Sequence, residues 1–123
     1  MPSDFTTIRV DPFDLPKGGD IDIDLEFPAP GVKANRRAIL MFRLSITGGA
    51  SAGEILGLTP SVLKATLNGR VIFEEKFLTP EPVRSLHQLV DFNTVIPVDN
   101  KLTLRQSGPR TFHLSDLVLI YGI

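Results

Sequence analysis

The residues that most directly suggest chemistry are three aspartates at alternating positions, Asp20, Asp22 and Asp24. Carboxylate oxygens are the ligands that Ca²⁺ prefers in proteins. In a β-strand, however, successive side chains on one face stand about 7 Å apart, which is too far for three of them to close on one ion. We therefore interpret the three aspartates as a solvated acidic stripe, able to dock a basic partner, and expect no metal site.

A second group, His113, Ser115 and Asp116, contains the residue types of a nucleophilic triad. Triads are assembled from separate segments of the chain, and no nucleophile-elbow motif surrounds this serine. We expect Asp116 to accept backbone hydrogen bonds at a bulge instead. His87 and His113 have no obvious third ligand, so they do not predict a metal centre. The sequence thus favours a protein without enzymatic activity and without a cofactor.

A basic cluster, Lys33, Arg36 and Arg37, lies in a proline-rich loop. Such a cluster can hold a phosphate, a sulfated sugar or the carboxylates of a partner, and it can also be simply solvated. Because its charge complements the acidic stripe, we include pairing between the cluster of one copy and the stripe of a neighbouring copy.

The aromatic residues are eight Phe and one Tyr, and the sequence has no Trp. Trp and Tyr dominate exposed binding surfaces, whereas Phe is mostly a core residue. If the protein binds a glycan, we expect an exposed concave groove that contains one of the rings of Phe5, Phe13, Phe92 and Tyr121. Tyr121 and Phe92 are the candidates for stacking on a ligand.

The composition excludes several classes of function. The 123 residues include no cysteine, which excludes disulfides, zinc-thiolate sites and thiol catalysis. A net charge of −1 offers no electrostatic argument for a nucleic-acid partner. No apolar run approaches the roughly 20 residues of a membrane span. The N-terminus shows no secretory signal pattern, so if Met1 is the native start we expect a protein that is made for the cytoplasm or leaves it by a route without such a signal. The length predicts a single domain over residues 1–123.

The elements that would position these residues read as β-strands. Residues 20–27 alternate acidic and apolar side chains, as a half-buried strand does. Residues 38–47 are apolar on both faces in their first half, which predicts a central strand covered on both sides there. In residues 111–121 the apolar positions change parity, which predicts a bulge near Ser115 and Asp116. Further strands are predicted at residues 5–10, 84–90, 94–98 and 101–106, with loops at residues 11–12 and 15–19.

A hairpin over residues 62–77 organises the chain, because Asn68-Gly69 between two apolar-rich runs is a strong turn signal. A two-residue turn would place Ala65 opposite Ile72, whereas a three-residue loop that includes Leu67 would place it opposite Val71. The apolar pairing favours the three-residue loop. Short strands with frequent turns and little helical period predict an all-β fold, an antiparallel, jelly-roll-like β-sandwich of eight or nine strands.

The second half of the chain resembles a known superfamily. Its hairpin at residues 65–69 (ATLNG), its turn and strand at 99–104 (DNKLTL) and its last strand at 114–121 (LSDLVLIY) are similar to the galactose-binding-like jelly roll of many carbohydrate-binding modules. The resemblance covers residues 62–121 and rests on structural positions. It implies a β-sandwich and, as a function, the binding of a glycan.

Two functions follow from these observations. The first is a non-catalytic structural or assembly subunit, which acts through protein–protein contacts in a homo-oligomer, a particle or a virion-like shell. The absence of Trp, the absence of a signal and the stand-alone length favour it. The alternative is a small carbohydrate- or ligand-binding module of the galactose-binding-like type, which the resemblance favours.

Overall fold

The computed structural model describes residues 3–16, 22–48, 60–78 and 81–123. Within these ranges the regular structure is all β, and no residue is helical. The strands are β1 (Ser3–Arg9), β2 (Phe13–Leu15), β3 (Ile23–Phe27), β4 (Ala38–Thr47), β5 (Ser61–Leu67), β6 (Arg70–Phe77), β7 (Glu81–Val90), β8 (Asn100–Ser107) and β9 (Thr111–Gly122). The described part of the chain contains no helix with the length and apolar character needed to cross a membrane.

The strands form two antiparallel sheets. A five-stranded sheet has the order β1-β9-β4-β7, and β2 pairs with β9 on the same side as β1. A four-stranded sheet has the order β3-β8-β5-β6. Neighbouring strands in both sheets are often far apart in sequence, as expected for a jelly roll rather than a meander. The predicted antiparallel β-sandwich is confirmed.

The core lies between the two sheets because alternate side chains of each strand point inward. In β4 the buried residues are Ala38, Leu40, Phe42, Leu44 and Ile46. From the facing sheet, β5 contributes Leu63, Ala65 and Leu67, and β8 contributes Leu102 and Leu104. The alternation predicted for residues 20–27 is confirmed over the described part: Phe27 is buried, while the carboxylates of that strand are exposed.

The predicted bulge in the last strand is present. Met41 pairs with Val118 and Arg43 pairs with Ser115, so β9 has one residue more than β4 between these two pairs. Asp116 takes up the extra length with φ 53°, and its backbone N–H donates to Val10 O over 3.2 Å. The bulge keeps both halves of the strand in the core.

The predicted three-residue hairpin loop is wrong. Leu67 pairs with Arg70, so the turn is Asn68-Gly69 alone, with φ 50° and 85°. Positive φ at both positions is the type I′ turn that Asn-Gly favours. The turn chemistry therefore decides the first pairs of the hairpin.

Apolar pairing in the hairpin is recovered one step further along. Counted away from the turn, the register shifts beyond the pair of Thr66 and Val71. Ala65 therefore lies opposite Phe73, and Ile72 is the extra residue of the bulge. Phe73 then packs edge-to-face on Phe42, with ring centroids 5.7 Å apart. A bulge, rather than a longer loop, reconciles the turn with the core.

Two further strand predictions need correction, and one strand was missed because its last residue, Leu15, was predicted as loop. Residues 94–98 are not a strand, because the Asn100 side chain bonds both backbone groups of Ile96 in place of a neighbouring strand. Residues 13–15, which were not predicted as a strand, form β2 and bury Phe13 and Leu15. The first half of β4 is covered on one face only, since Ile39 is 39% exposed on the outer face.

Candidate functional site

The outer face of the four-stranded sheet carries a polar groove of about 520 Å³. Its side chains come from outward-facing alternate positions of β5 and β8, from the hairpin turn between β5 and β6, and from Asp22, which directly precedes β3. The groove is lined by Asp22, Lys64, Thr66, Asn68, Gly69, Lys101, Thr103 and Arg105. Its volume lies within the range of small-molecule sites, about 300–1,000 Å³.

Cross-strand contacts hold two carboxylates in place, that of Asp22 in the groove lining and that of Asp24 beside it. The Thr103 hydroxyl donates to Asp24 Oδ1 over 2.8 Å, and Lys101 Nζ lies 3.3 Å from Asp24 Oδ2. Asp22 Oδ1 lies 3.2 Å from Arg105 Nη1. The Thr103 hydrogen bond lowers the pKa of Asp24, burial opposes this, and Lys101 lowers it further. Asp24 therefore stays ionised and accepts hydrogen bonds.

The hairpin turn closes one end of the groove and is itself tied down. Asn68 Nδ2 donates to Thr94 O over 2.7 Å and to Asn100 Oδ1 over 2.9 Å. Asn68 Oδ1 accepts from the backbone N–H of Lys101 over 2.8 Å. Because these contacts use the side-chain amide of Asn68, this residue positions the groove wall rather than offering its amide to a ligand.

The predicted acidic stripe is thus part of a mixed-charge surface. Asp22 and Asp24 are exposed but paired with cations of β8, while Asp20 lies outside the described residues. Among the described residues no group of three or more metal-binding side chains converges. Docking of a basic partner on the stripe stays a prediction.

The predicted basic cluster lies at one end of the sandwich, in the loop between β3 and β4. Arg37 stacks over the Phe92 ring at 4.9 Å from its centroid, and its Nε lies 3.9 Å from Asp91 Oδ1. Arg36 packs against Gly122, where a Cβ would lie 2.6 Å from the arginine Cδ. Lys33 is exposed. The loop brings Arg37 and Phe92 together, which the sequence did not predict.

Neither ring proposed for stacking lies in the groove. Tyr121 is 2% exposed and its hydroxyl donates to Pro30 O over 3.1 Å, so its ring presents no face to a ligand. The bulge in β9 explains this burial, because the odd-numbered residues that follow it, including Tyr121, point into the core. Phe92 is 44% exposed but carries Arg37 on its ring. Phe5 is exposed on the other sheet, and Phe13 is buried.

His113, Ser115 and Asp116 do not form a relay. His113 Nδ1 lies 2.6 Å from Asp14 Oδ1, and its Nε2 lies 2.5 Å from Thr47 Oγ1. Ser115 instead donates to Asp116 over 3.3 Å, and no backbone hydrogen bond to the Asp116 carboxylate is recorded in the described part of the chain. The Thr47–His113–Asp14 contacts join β4, β9 and β2 on an open sheet surface. This surface is open to water. Among the described residues, no group of hydrogen-bond donors lies beside Thr47 that could stabilise an oxyanion, so we interpret the contacts as structural.

The outer face of the five-stranded sheet is apolar at one end. Four side chains on neighbouring strands lie in register there, and all of them point away from the core. They are Phe5, Ile120, Ile39 and Leu89, with Val118 and Met41 in the next row. Phe5 is 64% and Leu89 50% exposed, which makes this row the second candidate surface.

Five residues of the groove were not predicted from the sequence: Lys64, Thr66, Lys101, Thr103 and Arg105. The available signal was the alternation of polar with buried apolar residues over 64–66 and 101–105. The pairing of β5 with β8 brings the two runs together, and nothing local in the sequence indicates that pairing.

Comparisons with known proteins show similarity at the level of the fold. No protein-family model matches the chain, and no curated protein sequence matches it significantly. In structure, 96% of the chain is similar to part of dimeric latent PorU from Porphyromonas gingivalis, with a TM-score of 0.68 and 14% identity. The chain spans only 12% of PorU.

Other structural neighbours are mainly carbohydrate-binding modules. A family 29 module matches 99% of the chain over 88% of its own length, with a TM-score of 0.55 and 12% identity. The CBM36-1 domain of a xylanase from the hindgut metagenome of Trinervitermes trinervoides matches 99% of the chain over 98% of its own, with a TM-score of 0.55 and 6% identity. The fold-level resemblance to the galactose-binding-like sandwich is confirmed.

Proposed function

We propose that the protein is a non-catalytic carbohydrate-binding module and that the glycan lies in the polar groove of the four-stranded sheet. The observation that carries the proposal is the lining of this groove, where hydroxyl, ammonium, guanidinium and carboxylate groups stand at alternate positions of adjacent strands. The carbohydrate-binding modules among the structural neighbours support the same function. This reverses the order of the two functions favoured by the sequence.

The groups of the groove match the chemistry of sugar hydroxyls, which both donate and accept hydrogen bonds. Lys64, Lys101 and Arg105 donate, and Asp22 accepts. The Thr103 hydroxyl donates to Asp24 but keeps its acceptor lone pairs. Thr66 lies directly opposite Thr103, so the two hydroxyls face the same part of the groove. Binding here depends on hydrogen bonds, since none of the predicted aromatic rings lies in this lining.

The proposal is tested on a glycan array, followed by calorimetry with the oligosaccharides that bind. Thr66→Val and Thr103→Val remove one hydroxyl each, and we expect each to weaken binding about fivefold, because a hydrogen bond contributes roughly 1 kcal/mol. Thr7→Val is the matched control, as Thr7 is exposed on β1 of the opposite sheet. An array with no binding to neutral or acidic glycans would contradict the proposal.

A second function, assembly through the apolar row of the five-stranded sheet, has its own observation. Four apolar side chains in register on an outer sheet face form the kind of exposed patch that marks interaction sites. We expect a mass above that of the monomer by light scattering, which Leu89→Lys reduces. Val98→Lys is the control, since Val98 is 61% exposed in the loop before β8. A monomer over a wide concentration range would exclude self-assembly.

A further inference from the structure

The charges in the polar groove are not balanced. Among the described residues, three cations and one carboxylate, Asp22, line it, while Asp24 lies beside the lining and contacts Thr103 and Lys101. Arg105 is paired with Asp22, and Lys101 is paired with Asp24. Lys64 is left as the third cation: no ion pair is recorded for it within the described ranges.

The position of Lys64 places it against another cation. It lies on β5 directly opposite Arg105 on β8, and both side chains face outward. Like charges directly opposite each other in a sheet are unfavourable. On its other side Lys64 lies opposite Glu74 of β6, which is exposed and does not line the groove. A negatively charged group of a ligand would therefore be stabilised most at the end of the groove away from the hairpin turn, where Lys64 and Arg105 lie.

We propose that the groove selects saccharides that carry an anionic group, a uronate carboxylate or a sulfate ester, and that Lys64 contacts this group. The inference rests on the proposed function and adds the ligand's charge. Uronates and sulfated sugars share oxygen atoms that bear a delocalised negative charge, and such atoms form shorter and stronger hydrogen bonds with an ammonium group than neutral hydroxyls do. The hydroxyl of Thr66, two residues along the same face of β5, is in reach of the same sugar ring.

The test compares ligands that differ in charge and little else. Trigalacturonic acid is measured beside its fully methyl-esterified form, which keeps the rings and hydroxyls but removes the charge. A sulfated galactan oligosaccharide without uronate, beside its desulfated form, separates the sulfate source from the carboxylate source. We expect at least one anionic member to bind about fivefold more tightly than its neutral partner, with affinity that falls as NaCl rises.

Three variants assign the effect to one residue. Lys64→Gln removes the charge and should abolish the preference for the anionic member, while Lys64→Arg should retain it. Lys76→Gln is the matched control, because Lys76 is exposed on the same face, opposite Val62, and does not line the groove. If Lys64 had only a structural role, Lys64→Gln would lower the midpoint of urea unfolding. We expect this midpoint to stay unchanged or to rise.

The outcomes separate this inference from the function it rests on. A preference for the anionic member that Lys64→Gln abolishes and Lys76→Gln leaves intact supports it. If anionic and neutral members bind equally, with Lys64→Gln as good as the wild type, the charge preference is wrong and carbohydrate binding stands. If no saccharide of either kind binds, both are wrong.

Discussion

Replacing Asn100 by alanine tests whether one buried amide holds the end of the sandwich next to the groove. Asn100 is fully buried. Its Nδ2 donates to Phe27 O over 3.2 Å and to Ile96 O over 2.6 Å, while its Oδ1 accepts from Ile96 N over 2.9 Å and from Asn68 Nδ2. One side chain thus joins β3, the loop before β8 and the hairpin turn.

The cost of Asn100→Ala follows from the groups left without partners. Asn68 keeps its bond to Thr94 O, but one backbone N–H and two carbonyls, of Ile96 and Phe27, lose theirs. At roughly 1 kcal/mol for each partly buried group, the free energy of unfolding falls by about 3 kcal/mol. That is a large share of the ~5–15 kcal/mol typical of a domain, and corresponds to a fall in the melting temperature of about 10 °C.

Urea unfolding followed by far-ultraviolet circular dichroism measures this loss. Asn35→Ala is the control, since Asn35 is an exposed loop residue for which no side-chain hydrogen bond is recorded in the described structure. Asn100→Asp keeps the shape and the accepting oxygen but removes the two N–H donors, so it should also destabilise the protein at neutral pH. A loss below about 1 kcal/mol for Asn100→Ala would refute the argument that these bonds are made and buried.

Two other predictions concern the backbone and the acid range. Gly108→Ala should cost more than Gly69→Ala, although both glycines have positive φ: a Cβ at Gly108 would lie 2.5 Å from Ser61 Cα, whereas one at Gly69 meets nothing within 4 Å. Gly69→Ala should cost only the ~1–2 kcal/mol of the left-handed conformation, and equal melting temperatures for the two variants would contradict this comparison. The pKa of Asp24 is lowered from 3.8, so the stability it contributes is present above its unfolded pKa and is lost as pH falls through the folded value. Unfolding free energies measured over about pH 2–6 should therefore show a shallower acid loss for Asp24→Asn than for the wild type, and parallel profiles would count against the Thr103 and Lys101 contacts.

The fold could be predicted from the sequence wherever local pattern and burial agree. The alternation in residues 23–27 and 101–106 reports directly which side of a sheet each residue occupies, and the change of parity at Ser115 and Asp116 is visible without any partner strand. The pattern was insufficient where an element is short. Residues 13–15 stand between Pro12 and Pro16, and three residues do not establish a period.

The hairpin shows how two local signals can conflict. Apolar pairing favoured a longer loop, while Asn68-Gly69 favoured a two-residue turn, and the bulge at Ile72 satisfies both. The groove was beyond local reasoning because Lys64 and Arg105 meet only through the pairing of β5 with β8. Surface charges at neighbouring positions of non-consecutive strands carry no period of their own, so topology must be known before such a site can be seen.

The two candidate surfaces lie on opposite outer faces of the sandwich, so the two proposed functions are compatible with each other. If the groove binds glycans as proposed, it would hold a single sugar chain weakly, because no aromatic ring lines it and its hydrogen bonds replace bonds that the sugar already makes with water. Association through the Phe5–Leu89 row would leave every groove open to solvent on the far side. Several grooves on one assembly then raise the avidity for a polymeric glycan by about 10²–10⁴ without any new contact in the groove. On this reasoning Leu89→Lys should weaken binding to the polymer while leaving binding to a short oligosaccharide unchanged, whereas Thr66→Val should weaken both.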